Sequence, residues 1–157
     1  MCHPPRVSEV PRAETTPAAL GARLAALGRV LGEREAAHRR ELEAARACAE
    51  SVHGAVAEAL ARFHEAAAGA GAPHLRVELS DIRLDDKHLR AVEFDLVRGR
   101  HKAIVVAKSR GELTLVGPFH VGKAEGPCRS FPFDARPEIE QALAGFLERF
   151  LEEAATP

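Results

Sequence analysis

The feature that most constrains this chain is a stripe of aliphatic side chains that repeats along one face of a predicted helix. The spacings begin 4, 3 and 4 and resume after a charged stretch, and residues 18–68 contain no proline. Such spacing is typical of the a and d positions of a coiled coil. The pattern covers about 45 residues, or roughly 65–70 Å at 1.5 Å per residue. The stripe includes Leu20, Leu24, Leu27, Leu31, Leu42, Val52 and Val56.

A stripe this narrow and this long predicts a partner helix, because the rest of the chain is too small to cover it. We therefore expect residues 18–68 to be a coiled-coil oligomerisation helix, with the seven stripe residues forming the interface of a homodimer or higher oligomer. Dimer and tetramer, and parallel and antiparallel arrangements, remain open. The competing structure is a helical hairpin broken near Gly32 or Gly54.

The remaining sequence divides into three segments around this helix. Residues 1–17 contain four prolines and no periodicity, which predicts a disordered tail, and they lack the apolar core of a signal peptide. Residues 69–73 are rich in glycine and alanine and predict a hinge. Residues 74–157 predict a small α+β domain.

Alternation of apolar and polar residues dominates the start of that domain. It predicts strands over Leu75–Leu84, His88–Arg98, Lys102–Lys108 and Leu113–Val116, separated by short turns. Within the first strand the apolar phase slips across Ser80-Asp81, which predicts a bulge or a short break there. Residues 137–154 then carry an apolar stripe at helical spacing. The predicted fold class is therefore α+β: a long N-terminal coiled-coil helix followed by a four-stranded antiparallel meander packed by a C-terminal amphipathic helix. The conformation of residues 117–134 is not predicted.

Composition and charge exclude several classes of protein. Twenty-two basic residues oppose 23 acidic ones, for a net charge of −1, so the chain is not a generally basic nucleic-acid binder. Three scattered cysteines make no disulfide framework, and we expect a cytoplasmic location. The longest strongly apolar run, Ala103–Ala107, is far too short to cross a membrane, so no membrane partner is expected.

No cofactor or metal is expected from the motifs. Residues 117–123 match the phosphate-loop spacing, but Ala124 occupies the place of the magnesium-binding hydroxyl and a turn follows where a helix is required. The eight histidines lack the spacings of metal sites.

Two local groupings offer alternative functions. Arg98, Arg100 and Lys102 crowd one turn and are the candidates for polyanion contact in a dimeric nucleic-acid-associated protein. Cys128, beside an arginine and near His120, is the candidate centre of a small enzyme or thiol-based site.

The function that the sequence favours is non-enzymatic, with no catalytic residues. We expect a self-associating adaptor or regulatory subunit, in which the coiled coil sets the oligomeric state and the α+β domain binds a further protein whose identity the sequence does not reveal.

Overall fold

The computed structural model describes residues 16–85, 90–122 and 126–155, which form an α+β structure. Most of the predicted N-terminal tail, residues 1–15, lies outside this described part, and the chain divides into two compact units at residues 37 and 38. In chain order, the elements are helix α1 (Pro17–Gly69), strands β1 (Glu78–Leu79), β2 (Arg83–Leu84), β3 (Ala91–Arg98), β4 (His101–Lys108), β5 (Glu112–His120) and β6 (Cys128–Pro132), and helix α2 (Arg136–Ala155).

Helix α1 is continuous, so the prediction of one long helix is confirmed and the hairpin alternative is wrong. Its start is capped by Thr16, whose hydroxyl accepts the backbone N–H of Ala19 at 3.0 Å. Its end is a Schellman cap: Gly71 has a φ of 95°, and the N–H of Ala72 donates to the carbonyl of Ala67 at 2.8 Å. The segment predicted to be a hinge therefore contains the helix cap.

The sheet is antiparallel, in the order β1-β3-β4-β5-β6, with β2 also paired to β3. The prediction of four strands is too low, since the described residues form six. The break predicted at Ser80-Asp81 separates β1 from β2: the Ser80 hydroxyl accepts the Asp95 backbone N–H at 2.8 Å, which interrupts the regular pairing. The additional strand, β6, has one buried residue among five and so shows no apolar alternation in the sequence.

The core of the second unit lies on a single face of the sheet. Alternate positions of β3 and β4, such as Phe94 and Val105, are fully buried, and they belong to one cluster with both helices. The second half of α1 and all of α2 therefore cover the same face. The helix residues buried there are Ala45, Ala49, Val52, Val56, Leu60, Ile139, Leu143, Phe146, Leu147, Phe150 and Ala154.

An ionic cluster stabilises the opposite face of the sheet. Arg83 approaches Asp95 at 3.0 Å and Glu93 at 3.2 Å, and the Lys102 ammonium lies 3.4 Å from Asp95. Burial alone would raise the pKa of Asp95, but the hydrogen bond and charge of Arg83 and the charge of Lys102 lower it below its usual value. The carboxylate is therefore held ionised.

Phe150 should be one of the most sensitive positions of the fold. Its side chain is fully buried, and Phe150→Ala should lower the free energy of unfolding by about 3–5 kcal/mol, because it leaves a cavity between α2 and the sheet. Glu148→Ala, on the exposed side of α2, should change it by less than about 0.5 kcal/mol. Urea denaturation of both variants measures this, and equal midpoints would contradict the packing of α2.

His64 should make stability depend on pH. Its Nε2 accepts the backbone N–H of Val77 at 3.0 Å, which requires a neutral ring. Burial, together with the charge of Arg76, lowers the pKa of His64. The unfolded chain then binds more protons than the folded one below pH ~6.5, so the free energy of unfolding should fall as the pH decreases through that value.

Denaturation between pH 7.5 and pH 5 tests this prediction. His64→Gln keeps a neutral acceptor at this position and should reduce the dependence on pH. An unchanged pH dependence in that variant would contradict this role of His64.

Candidate interaction sites

The first unit carries a row of large apolar side chains that are unusually exposed. Leu20, Leu24, Leu27 and Leu31 retain between 47% and 57% of their accessible surface, and they recur on one side of α1. Scattered exposed leucines are ordinary on protein surfaces, but a continuous row on one helix is a candidate contact surface. We call these four residues the leucine row.

The rest of the predicted helix interface is used inside the chain. Val52 and Val56 are buried in the core of the second unit, and Leu42 is partly buried. The sequence assigned them to a partner helix, but the chain's own sheet provides the apolar surface that covers Val52 and Val56. This corrects the extent of the predicted interface: only the leucine row keeps its side chains available to a partner.

The basic turn does not present three convergent cations. The Arg98 guanidinium donates to the backbone carbonyl of Ala154 at the end of α2, and Lys102 pairs with Asp95. Arg100 lies exposed on the turn between β3 and β4. Arg98 thus stabilises the fold by satisfying a terminal carbonyl of α2, as a cation at a helix C-terminus does. Lys102 stabilises it by pairing with the Asp95 carboxylate.

The candidate thiol site is not assembled either. Cys128 pairs with Val116, four residues before His120 along β5, which separates them by on the order of 10 Å. The His120 ring instead packs edge-on against His101, with ring centroids 4.7 Å apart. The other described cysteine, Cys48, has a pKa raised by burial, an effect that the charge of Arg136 only partly offsets.

The described residues form neither a metal site nor a membrane-spanning helix. Among residues 16–85, 90–122 and 126–155, no three His, Cys, Asp or Glu side chains come together as a metal site. In the same ranges, no helix has the length and apolar character needed to cross a membrane. No family model, curated protein or solved structure matches this chain. Its function is therefore inferred from its own surfaces.

A cleft of about 490 Å³ lies between α2 and the strands β5 and β6. Its size is that of pockets that bind small molecules or single side chains. Leu115, Phe131 and Phe146 provide apolar surface, and Arg129 and Arg149 provide charge. Sequence reasoning missed it because its residues come from three elements. Gly145 lines the cleft from within α2, and a Cβ added there would meet no atom within 4 Å.

The two arginines of the basic turn should behave differently when removed. Arg98→Ala should lower the free energy of unfolding by about 1.5–3 kcal/mol, because it removes a charged hydrogen bond to the end of α2, whereas Arg100→Ala should change it little.

The wild type should show no strong binding to random duplex DNA when the two are titrated at low salt. Micromolar binding that is lost in Arg100→Ala would support the nucleic-acid alternative.

Proposed function

We propose that this chain is a non-enzymatic, self-associating adaptor or regulatory subunit. In this proposal the first part of α1 associates with the same helix of another copy as a coiled coil. The second unit then binds a further protein. The leucine row carries the proposal, because four large aliphatic side chains on one side of a helix are each about half exposed.

The size of the exposed surface supports a homodimer. Full burial of a leucine side chain contributes about 1.5–3 kcal/mol, so eight half-exposed leucines in two copies contribute on the order of 6–12 kcal/mol before the entropic cost of association. A micromolar dimer requires a net contribution of about 8 kcal/mol, so the leucines alone reach it only at the upper end of this range and with a small entropic cost. Val30, next to the row and 44% exposed, adds apolar area at its margin.

The placement of the alternative sites also favours an adaptor. Two of the three candidate polyanion contacts are engaged inside the fold, with Arg98 on α2 and Lys102 on Asp95. Cys128 and His120 lie at separate points of the β5–β6 pair. An interaction role uses the leucine row and the second unit without requiring either grouping.

Charge on the leucine row should abolish association. Leu27→Glu/Leu31→Glu should convert the oligomer to a monomer, because each dimer would bury four carboxylates in an apolar interface. Ala22→Glu/Ala26→Glu is the matched control, with the same charges and the same spacing on the opposite side of α1, and should leave the mass unchanged.

Light scattering at tens of micromolar measures the masses, and circular dichroism checks that the helix content is retained. A monomeric wild type would overturn the proposal. The proposal would also be overturned if the Leu27→Glu/Leu31→Glu variant remained an oligomer.

A further inference from the structure

Strand β6 is the edge of the sheet next to the cleft. It pairs with β5 on one side, and no described strand pairs with its other side. The opposite edge of the sheet is formed by the two-residue strands β1 and β2. Because β6 has five residues, it is the longer of the two edge templates.

The hydrogen bonds beside β6 determine which backbone groups face outward. The N–H of Gly117 donates to the carbonyl of Pro127 at 2.7 Å, and the N–H of Phe133 donates to the carbonyl of Gly111 at 3.0 Å. In an antiparallel pair, every second residue bonds to the neighbour. The N–H and carbonyl groups of Cys128 and Ser130 therefore point away from β5, into the position of a further strand.

The side chains of β6 that lie beside the cleft alternate with these outward groups. The Arg129 guanidinium carbon lies 5.0 Å from the ring centroid of Phe131, and both residues line the cleft. The Ser130 hydroxyl, on the other face, lies 2.8 Å from the hydroxyl of Thr114. A strand added to β6 would thus place every second side chain against the cleft.

We propose that β6 and the cleft bind an extended peptide segment of a partner protein, which joins the sheet as a further strand. The segment places a large apolar side chain beside Phe131 and, two residues away, a carboxylate beside Arg129. Backbone bonds provide affinity and the cleft provides selectivity, as in other proteins that bind peptides at a sheet edge. The inference rests on the proposed function, because it names the class of partner that the second unit binds.

The charges at the cleft favour an acidic segment over a basic one. Arg129 is exposed on β6 and its guanidinium is positioned by Phe131. Arg149 lines the same cleft from α2, where it pairs with Glu153 at 3.2 Å on an exposed part of the helix. Glu138 also lines the cleft and Glu153 pairs with Arg149, so the preference for an acidic segment comes from Arg129, which has no carboxylate partner among the described residues.

A second copy of β6 fits this edge less well than a peptide does. Antiparallel pairing centred on Ser130 would place Cys128 opposite Pro132, which has no N–H to donate. Pairing centred on Arg129 would place two arginines directly opposite each other, which is unfavourable. An unrelated extended segment avoids both conflicts.

Binding is tested on the full chain with a short fluorescein-labelled peptide of alternating threonines. In this peptide one isoleucine and one glutamate lie two residues apart, so that both point to the same face of the strand. Two versions carry the pair in the two possible orders, and control peptides carry lysine in place of the glutamate. The glutamate peptide should bind saturably and the lysine peptide at least about tenfold more weakly. Arg129→Glu should reverse this preference. Absence of saturable binding in both orders would overturn the proposal.

The backbone contribution is tested at Ser130. Ser130→Pro removes an outward N–H, and proline is tolerated on an edge strand at this kind of position. It should weaken the peptide roughly tenfold. Ser130→Ala removes the same hydroxyl but keeps the N–H, and it should bind as the wild type does. Equal affinities of the two variants would overturn strand addition.

The cleft is tested at Gly145, where added atoms meet open space. Gly145→Leu should raise the melting temperature, because glycine is a poor helix former, and at the same time abolish binding by filling the cleft. Gly145→Ala should raise the melting temperature and retain most of the affinity. Binding by the leucine variant at wild-type affinity would overturn the role of the cleft.

Hydrogen exchange locates the bound peptide on the sheet. The amides of Cys128 and Ser130 should exchange more slowly on binding, while those of Arg129 and Phe131, which already face β5, should change little. If Ser130→Pro changed the oligomeric mass of the protein in the absence of peptide, this edge would instead bind a second copy, and the proposal would be overturned. None of these binding measurements requires the leucine row to associate, so failure of either proposal is recognised separately.

Discussion

The packing of two helices on one face of the sheet determines most other properties of the second unit. Ala45 and Ala49 are almost completely buried, and their small side chains allow α1 to approach the strands closely. Phe146 and Phe150 bring much larger side chains from α2 to the same core. The opposite face of the sheet is then left to the ionic cluster around Asp95.

The cationic residues of this chain divide between structural and accessible roles. Arg83 joins two acidic strand residues, Arg98 satisfies the end of α2 and Lys102 neutralises Asp95. Arg129, in contrast, stacks on Phe131 at the margin of a cleft. A count of charges in the sequence treats these residues alike, whereas their partners decide which of them remains free to meet another molecule.

The sequence predicted those elements whose apolar periodicity is strong and local. Helix α1, the hairpins of β3, β4 and β5, and helix α2 were predicted because each carries its own repeat. Strand β6 was not predicted, because Phe131 is its one buried side chain and the strand therefore shows no apolar alternation. Backbone hydrogen bonds to β5 hold it in the sheet instead. Periodicity also left open what covers a stripe, so Val52 and Val56 were assigned to another chain. The cleft depends on contacts between three elements and had no local pattern.

The unequal edges of the sheet bear on how assemblies of this chain can grow. A fibril needs two compatible edges, so that every added copy offers a new template to the next. Here one edge is divided into β1 and β2, and the other ends at Pro132. A strand added at β6 would therefore leave no matching template for a further copy. The recognition that we propose at this edge would not seed open-ended polymerisation, even at high protein concentration.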